Sequence, residues 1–428
     1  LARMPLSNGM NPVPDEQLPP IGTLGFRVQR YGMLRWGDLF TARQKLGLLT
    51  IVSAVRAGRN TSDLGKATTS LLSASIARLA DKNASLSVWN QIGEKIEHVF
   101  GRQALPIVWD FAEVAIFSDA TGNYESGVDL VCKVADAWAS VNPTQGQAQQ
   151  ADACEVPLPD ASSTIWFTDP PYYDAVPYAD LSDFFFVWLK RTLPDLSLLR
   201  DPFDEHNPLT PKTREAVQDE TKQSHGQPKD RDFFENTMAT CFAEGRRILK
   251  EDGLGSVVFA HKTTEGWEAL LSGLIRGGWT ISGSWPIATE RPGRLRSQDS
   301  AALATSIHLV CRPRSSDAGI GDRADLLREL PKRVGDWIER LQAEGVRGAD
   351  LVFACIGPAL EIFSQYSRVE TAEGRDVELA EYLEKVWEIV GRTALAQVLG
   401  SSEGKAGSPG ALEEDARLTA LFLWTLQS

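Results

Sequence analysis

Apolar residues recur along this chain with two periods, and the switches between them mark out its elements. Residues 1–25 are rich in proline and glycine and read as irregular. Residues 26–31 alternate apolar and polar, the period of a strand. From 42 to 56 the spacing lengthens: Thr41 is a natural N-cap, and Leu46, Leu49 and Val52 share one face of a predicted helix. A second helix is predicted over 68–81 and a strand over 106–111. Residues 141–162, rich in Gln, Pro, Ala and Asp, read as a linker. An apolar run from Ser163 to Thr168 reads as a buried strand. The helix after it, 181–192, is crowded with Phe184, Phe185, Phe186 and Trp188, a core-facing cluster. Residues 195–230 lack apolar periodicity. A helix is then predicted over 233–250 with Gly253 past its end, followed by a strand over 255–261. A helix over 267–276, a strand over 279–287, a basic loop and a strand over 306–311 follow. Helices over 326–343, 349–366 and 377–399, a Gly/Ser-rich break at 401–409 and a final amphipathic helix over 416–426 complete the pattern. No internal repeat is present.

The strand at 163–168 ends in Asp169-Pro170-Pro171-Tyr172. Two prolines stop a strand, because they donate no backbone hydrogen bond and fix φ. A stiff loop results, with a carboxylate before it and an aromatic ring after it. In open α/β sheets ligands bind beyond the carboxyl ends of the strands. A carboxylate, a carbonyl and a flat ring at that place suit one task, gripping a planar group that bears an NH2. Asp169 and the Pro170 carbonyl accept its two N–H bonds and Tyr172 stacks on its face. Asp, Pro and Tyr also make ordinary surface turns; the apolar run before them favours the strand-end reading.

Composition sets the bounds. The chain has 428 residues, 43% hydrophobic and 24% charged, which suits two or three globular domains. No apolar run is long enough for a membrane span, and no signal peptide is visible. The five cysteines, Cys132, Cys154, Cys241, Cys311 and Cys355, are scattered without metal spacing. Buried thiols in a reducing compartment follow, hence an expected cytoplasmic location. The net charge of −13 argues against whole-surface affinity for nucleic acid, although a local basic cleft is compatible with it. The chain starts at Leu1 and its last helix carries no stop signal, so a fragment of a longer protein is expected.

The tetrapeptide resembles motif IV of the amino methyltransferases, which move a methyl group from S-adenosylmethionine to an exocyclic amine of adenine or cytosine. The segment from Tyr173 to Phe185 (YDAVPYADLSDFF) narrows the resemblance. It is similar to the long adenine-specific DNA methylases whose full-length forms carry a zinc-ribbon. Gly25 to Gln44, Trp109 to Phe117, Arg291 to Arg312 and Gly357-Pro358-Ala359-Leu360 fit the same family. The fold implied is α/β, a partial Rossmann-like methyltransferase sheet whose last two strands form a hairpin, one of them antiparallel to the rest. Its expected parts are 1–155, a mixed α/β amino-terminal part; 156–315, the catalytic core; and 316–428, a helical domain. The implied function is adenine-N6 methylation of DNA, in restriction-modification or phage defence.

The chain departs from the family in lacking the glycine-rich loop and following acidic residue that hold S-adenosylmethionine. Gly253-Leu254-Gly255 precedes a strand instead of following one, and Gly404, Gly407 and Gly410 lie in the tail. The zinc-ribbon cysteines are absent too. The resemblance therefore implies a carboxyl-terminal half, with the cofactor loop supplied by a missing amino-terminal half or a partner subunit; the cofactor-binding residues are unassigned and no metal is expected. Asp169, Pro170, Pro171 and Tyr172 carry the expected chemistry. Asp169 also takes the released proton, directly or through water. Tyr172 would stack on a base flipped out of the duplex.

Tyr173 and Tyr178 extend the base pocket or pack in the core. Asp174 and Asp183 line the pocket or cap helices. Arg291, Arg294 and Arg296 form a phosphate clamp or a solvated loop paired with Glu290 and Asp299. Arg27, Arg30, Arg35 and Arg43, interleaved with Tyr31 and Trp36, carry the same ambiguity, and His261 reads as a core histidine. Cytosine-N4 methylation fits the motif equally. A non-catalytic DNA- or partner-binding remnant fits the missing loop. RNA or protein-glutamine methylation is disfavoured by Asp169, because those enzymes more often carry Asn there.

Overall fold

The computed structural model describes all residues except 1–8, 142–143, 262, 289–304, 347 and 401–428. It is mixed α/β and divides into two compact units that interleave along the chain. The first comprises Leu1–Gln150, Val176–Glu215 and Asp219–Pro228; the second comprises Ala151–Ala175, Ala216–Gln218 and Lys229–Ser428.

The first unit is mainly helical; the short strand pairs β1 (Trp89–Asn90) with β2 (Lys95–Ile96) and β4 (Asp219–Ser224) with β5 (Gln227–Lys229) lie outside the main sheet. Its long helices are α1 (Ala42–Ala57), α2 (Asp63–Lys82), α3 (Tyr124–Val141) and α4 (Tyr178–Thr192). Thr41 caps α1 as its sequence indicates: its hydroxyl accepts from the Gln44 N–H, and the Gln44 side chain accepts from the Thr41 N–H at 2.9 Å. The buried stripe of α1 runs through Leu48, Leu49, Val52 and Val55, and Leu46 lies outside it, 53% exposed. The aromatic residues of α4 do enter a core: Phe184 and Trp188 are fully buried and meet Phe40 at ring distances of 5.6 and 5.2 Å.

Two predicted strands of this unit do not form. Residues Val28–Tyr31 make a 3-10 helix instead, because Gln29 is buried where alternation requires exposure. Its amide donates to the Pro19 carbonyl at 2.9 Å, and Gly32 closes the turn at φ 84°. Among the described residues the 106–111 segment has no strand partner, and a single Phe26–Leu105 bridge precedes it.

The second unit is built on a four-stranded sheet in the order β3-β6-β8-β7. Its strands are β3 (Ser163–Thr168), β6 (Leu249–Phe259), β7 (Trp279–Ala288) and β8 (Thr305–Pro313). β3 and β6 are parallel, and β8 runs antiparallel to both β6 and β7. The α5 helix (Arg231–Ile248) and α6 helix (Thr264–Arg276) connect strands in this unit. Alternation along β3 puts Trp166 on the covered face, stacked on Trp279 at 4.9 Å and edge-on to Phe242 of α5 at 5.9 Å. On the opposite face Ile165 and Phe167 are 67% and 61% exposed, and β3 is an edge strand.

The helices beyond residue 322 share one hydrophobic core with this sheet, so that tail has no separate core of its own. The helix predicted over 349–366 is two, Gly348–Ala354 and Ile356–Ser364. Pro358 cannot donate to the Ala354 carbonyl four residues back. That carbonyl instead accepts the Ser284 hydroxyl of β7, and Ser284 Oγ in turn accepts the Gly357 N–H at 3.1 Å. Among the described residues no helix is long and apolar enough to cross a membrane.

Candidate functional site

β3 delivers Asp169 to the carboxyl end of the sheet, beside the end of its parallel neighbour β6. The Pro170-Pro171 pair ends hydrogen bonding there, and the chain turns back. The Pro171 carbonyl accepts the Tyr173 N–H at 3.1 Å, and the Tyr172 carbonyl accepts the Ala175 N–H at 2.9 Å. Tyr173 sits at φ 49°, a left-handed conformation uncommon for an aromatic residue, so the turn is held by its surroundings.

Those surroundings are specific. The Tyr173 ring is buried, edge-on to Phe234 at 5.1 Å and to His261 at 5.8 Å, and its hydroxyl donates to Glu265 at 3.0 Å. Burial first, and then the Glu265 carboxylate, raises the affinity of that phenol for its proton. The Tyr173 carbonyl accepts the Gln218 N–H at 3.1 Å. Asp174 pairs with His261, Oδ1 to Nε2 at 3.1 Å. The Thr263 N–H donates to His261 Nδ1 at 3.2 Å, which assigns the proton of the neutral ring to Nε2, facing Asp174. Gly266 makes room for this ring: a Cβ there would stand 2.3 Å from Nδ1. Three of these contacts run from the β3 turn to the segment that follows β6 or opens α6.

Against this tethered background two acceptors are unengaged. Asp169 is exposed, and neither its carboxylate nor the Pro170 carbonyl accepts a hydrogen bond among the described residues. Tyr172 is half-buried two residues on, its ring edge-on to Phe259 at the end of β6, 5.4 Å away. The predicted site residues thus part company. Asp169, Pro170, Pro171 and Tyr172 lie together at one strand end. Tyr173 is a core side chain, and Asp174 is the partner of His261.

Tyr178 and Asp183 belong to the first unit. Tyr178 opens α4 and is 40% exposed. Asp183 is buried, with Oδ1 accepting from the Thr210 N–H (2.9 Å) and hydroxyl (2.6 Å) and Oδ2 facing Lys212 Nζ at 2.7 Å. Burial pushes its carboxyl up, and Lys212 and Thr210 offset that only in part. It anchors the loop after α4. Arg291, Arg294 and Arg296 lie outside the described residues. Of the second basic group, Arg43 pairs with Glu113 at 2.5 Å, and Trp36 is fully buried. A cavity of about 560 Å³ in the first unit, lined by Arg56, Arg59, Lys66 and Asp195, contains none of the motif residues.

His261 is buried, as a core histidine should be, and it also has a partner at the site. The signal was available: a carboxylate just past one strand and a histidine just past its parallel neighbour fall at the same sheet edge, although 87 residues separate them.

Among the described residues, the glycine pair nearest to a cofactor loop does not fit S-adenosylmethionine. Gly253 and Gly255 lie within β6, where a Cβ would come within 2.5 Å of Leu249 and 2.6 Å of Trp279 respectively. Both serve close packing, and neither opens a backbone cradle to a ligand. Gly404, Gly407 and Gly410 lie outside the described residues. Among the described residues no cluster of three or more metal-ligating side chains is present. Comparison with models of known protein families, with curated proteins and with solved structures returned no match to this chain.

Proposed function

We propose that this chain is the target-base half of a DNA adenine-N6 methyltransferase. One observation carries the reading: Asp169 and the Pro170 carbonyl, two acceptors without donors among the described residues, stand side by side in sequence at the end of a parallel strand, followed by the ring of Tyr172. An exocyclic amine supplies the two N–H donors that this pair lacks. The adenine amine is a poor nucleophile because its lone pair is delocalised into the ring. Hydrogen bonds to Asp169 and the Pro170 carbonyl draw the nitrogen toward a tetrahedral shape and direct its lone pair away from the ring, a positioning effect. Asp169 is then placed to receive the proton that the amine releases. The tethers of Tyr173 to Glu265 and of Asp174 to His261 hold the turn that presents both acceptors.

The methyl donor in this reading is S-adenosylmethionine, held by an amino-terminal half or a partner subunit. The exposed apolar edge at Ile165 and Phe167 supports that division, because such an edge calls for a cover. A cytoplasmic location belongs to the same proposal, since the substrate is DNA.

The missing glycine loop favours a second reading, a non-catalytic DNA-binding remnant. The test uses S-adenosylmethionine with a labelled methyl group, DNA, and this chain alone or mixed with a cofactor-binding half of such a methylase. The expected product after digestion to nucleosides is N6-methyladenine in the mixture, and its loss in Asp169→Ala. N4-methylcytosine in its place would move the reading to cytosine. DNA binding that persists in Asp169→Ala, with no methyl transfer in either condition, would establish the remnant.

A further inference from the structure

Two of the five scattered cysteines meet in space. Cys154 lies in the segment that leads into β3, and Cys241 lies on α5; their sulfur atoms are 3.1 Å apart. Both side chains are partly exposed. The Cys154 Sγ also contacts the Thr237 carbonyl one turn earlier on α5, at 3.8 Å. The segment around Cys154 is laced to the same helix. The Val156 N–H donates to Glu244 at 3.0 Å. The Arg247 guanidinium donates to the Val156 and Leu158 carbonyls, each at 2.9 Å, and to Asp160 at 2.6 Å. The Ala161 N–H then donates to the Arg247 carbonyl at 3.0 Å, just before β3 begins. The lacing holds the two sulfurs in one place, and a two-thiol site needs that proximity.

We infer that Cys154 and Cys241 are a thiol–disulfide exchange site that takes a low-molecular-weight disulfide of the glutathione class. The hydrogen bond to Cys154, and then burial, raise the proton affinity of Cys241. Cys154, outside any helix or strand, is the attacking sulfur, and Cys241, held within α5, the resolving one. In the first step the Cys154 thiolate attacks one sulfur of the small disulfide. A mixed disulfide forms, and one small thiolate leaves. In the second step Cys241 loses its proton to solvent and its sulfur attacks that of Cys154, displacing the second small thiolate. Two protein thiols are oxidised and one small disulfide is reduced to two thiols. The new bond spans 87 positions of chain and adds a covalent tie to the hydrogen-bonded strap that feeds the Asp169 strand.

Cys132 provides an internal control, because it is exposed and belongs to the other unit. The whole chain is incubated with oxidised glutathione, digested without reduction and mapped by mass spectrometry. The expected result is a cross-linked peptide joining Cys154 to Cys241, while Cys132 retains a glutathione adduct. In Cys241→Ser, Cys154 has no resolving thiol and keeps its adduct as Cys132 does. A stable glutathione adduct on Cys154 of the unaltered chain, with no cross-linked peptide, would overturn the inference. That outcome would also hold if the serine variant failed to fold, because it is read on the unaltered chain.

Discussion

From sequence Asp169 is the catalytic acceptor and Asp183 either a pocket residue or a helix cap, and the surroundings of the two differ. Asp169 accepts no hydrogen bond among the described residues, whereas Asp183 is buried with both oxygens engaged. Their alanine variants should therefore behave in opposite ways. Asp169→Ala is expected to unfold at the same denaturant concentration as the unaltered chain. Asp183→Ala removes the carboxylate that accepts from the Thr210 N–H, the Thr210 hydroxyl and Lys212, and is expected to lose roughly 1–3 kcal/mol. Equal losses in denaturant titrations would mean that Asp169 has a structural role. What the sequence disclosed at this scale was the chemistry of the tetrapeptide, since prolines, a carboxylate and a ring carry their meaning locally. What it hid was pairing at long range. Nothing near Cys154 in the chain names Cys241 as its partner.

At the scale of elements, the strongly periodic segments were legible. The helices α1, α5 and α6 and the strands β7 and β8 fall close to where apolar spacing puts them. The errors came where tertiary demands override local pattern. β6 begins at Leu249, inside the segment read as helix, because pairing with β3 and β8 draws the chain into the sheet. Gly253 and Gly255, whose place before a strand sets them aside as a cofactor loop, are packing devices, and they are not alone. Gly245 of α5 lies so close to β3 that a Cβ would meet the Trp166 ring at 2.3 Å. Gly245→Ala should therefore cost roughly 1–3 kcal/mol by overpacking. Gly335, whose Cβ would meet nothing within 4 Å, should accept alanine with a gain of about 1 kcal/mol or less, because alanine favours the helix. Thermal unfolding of the two variants reads the contrast, and a neutral Gly245→Ala would place Trp166 elsewhere.

At the scale of the molecule, the chain divides into two compact units, each assembled from separate stretches of sequence. The excursion Val176–Glu215 returns to the first unit because the aromatic stripe of α4 shares a core with Trp36, Phe40 and Val52. A stripe discloses that a helix is buried, and not what buries it. The first unit also contains a buried ionic cluster that links its stability to pH. Glu16, with its side chain 7% exposed, bonds the Arg191 guanidinium through both oxygens at 3.0 and 3.1 Å and also faces Lys190. Burial alone would raise its pKa, but Arg191 and Lys190 outweigh that and bring it below the ordinary 4.5. A carboxylate with a depressed folded pKa stabilises above its unfolded value, and that contribution is lost as pH falls through the folded value. Unfolding midpoints should therefore drop as pH is lowered below about 4.5. The slope should flatten in Glu16→Gln, and an unchanged slope would remove Glu16 from the account.

The central claim is that Asp169 and the Pro170 carbonyl grip an exocyclic amine, and it can be measured without cofactor or partner. A DNA duplex with one unpaired adenine opposite an abasic site is titrated into the chain, alongside the same duplex carrying purine, which lacks the amine. Two well-placed hydrogen bonds should favour adenine by roughly 5- to 150-fold, about 1–3 kcal/mol, with the preference lost in Asp169→Ala. Equal affinity for adenine and purine, unaltered by the substitution, would contradict the account.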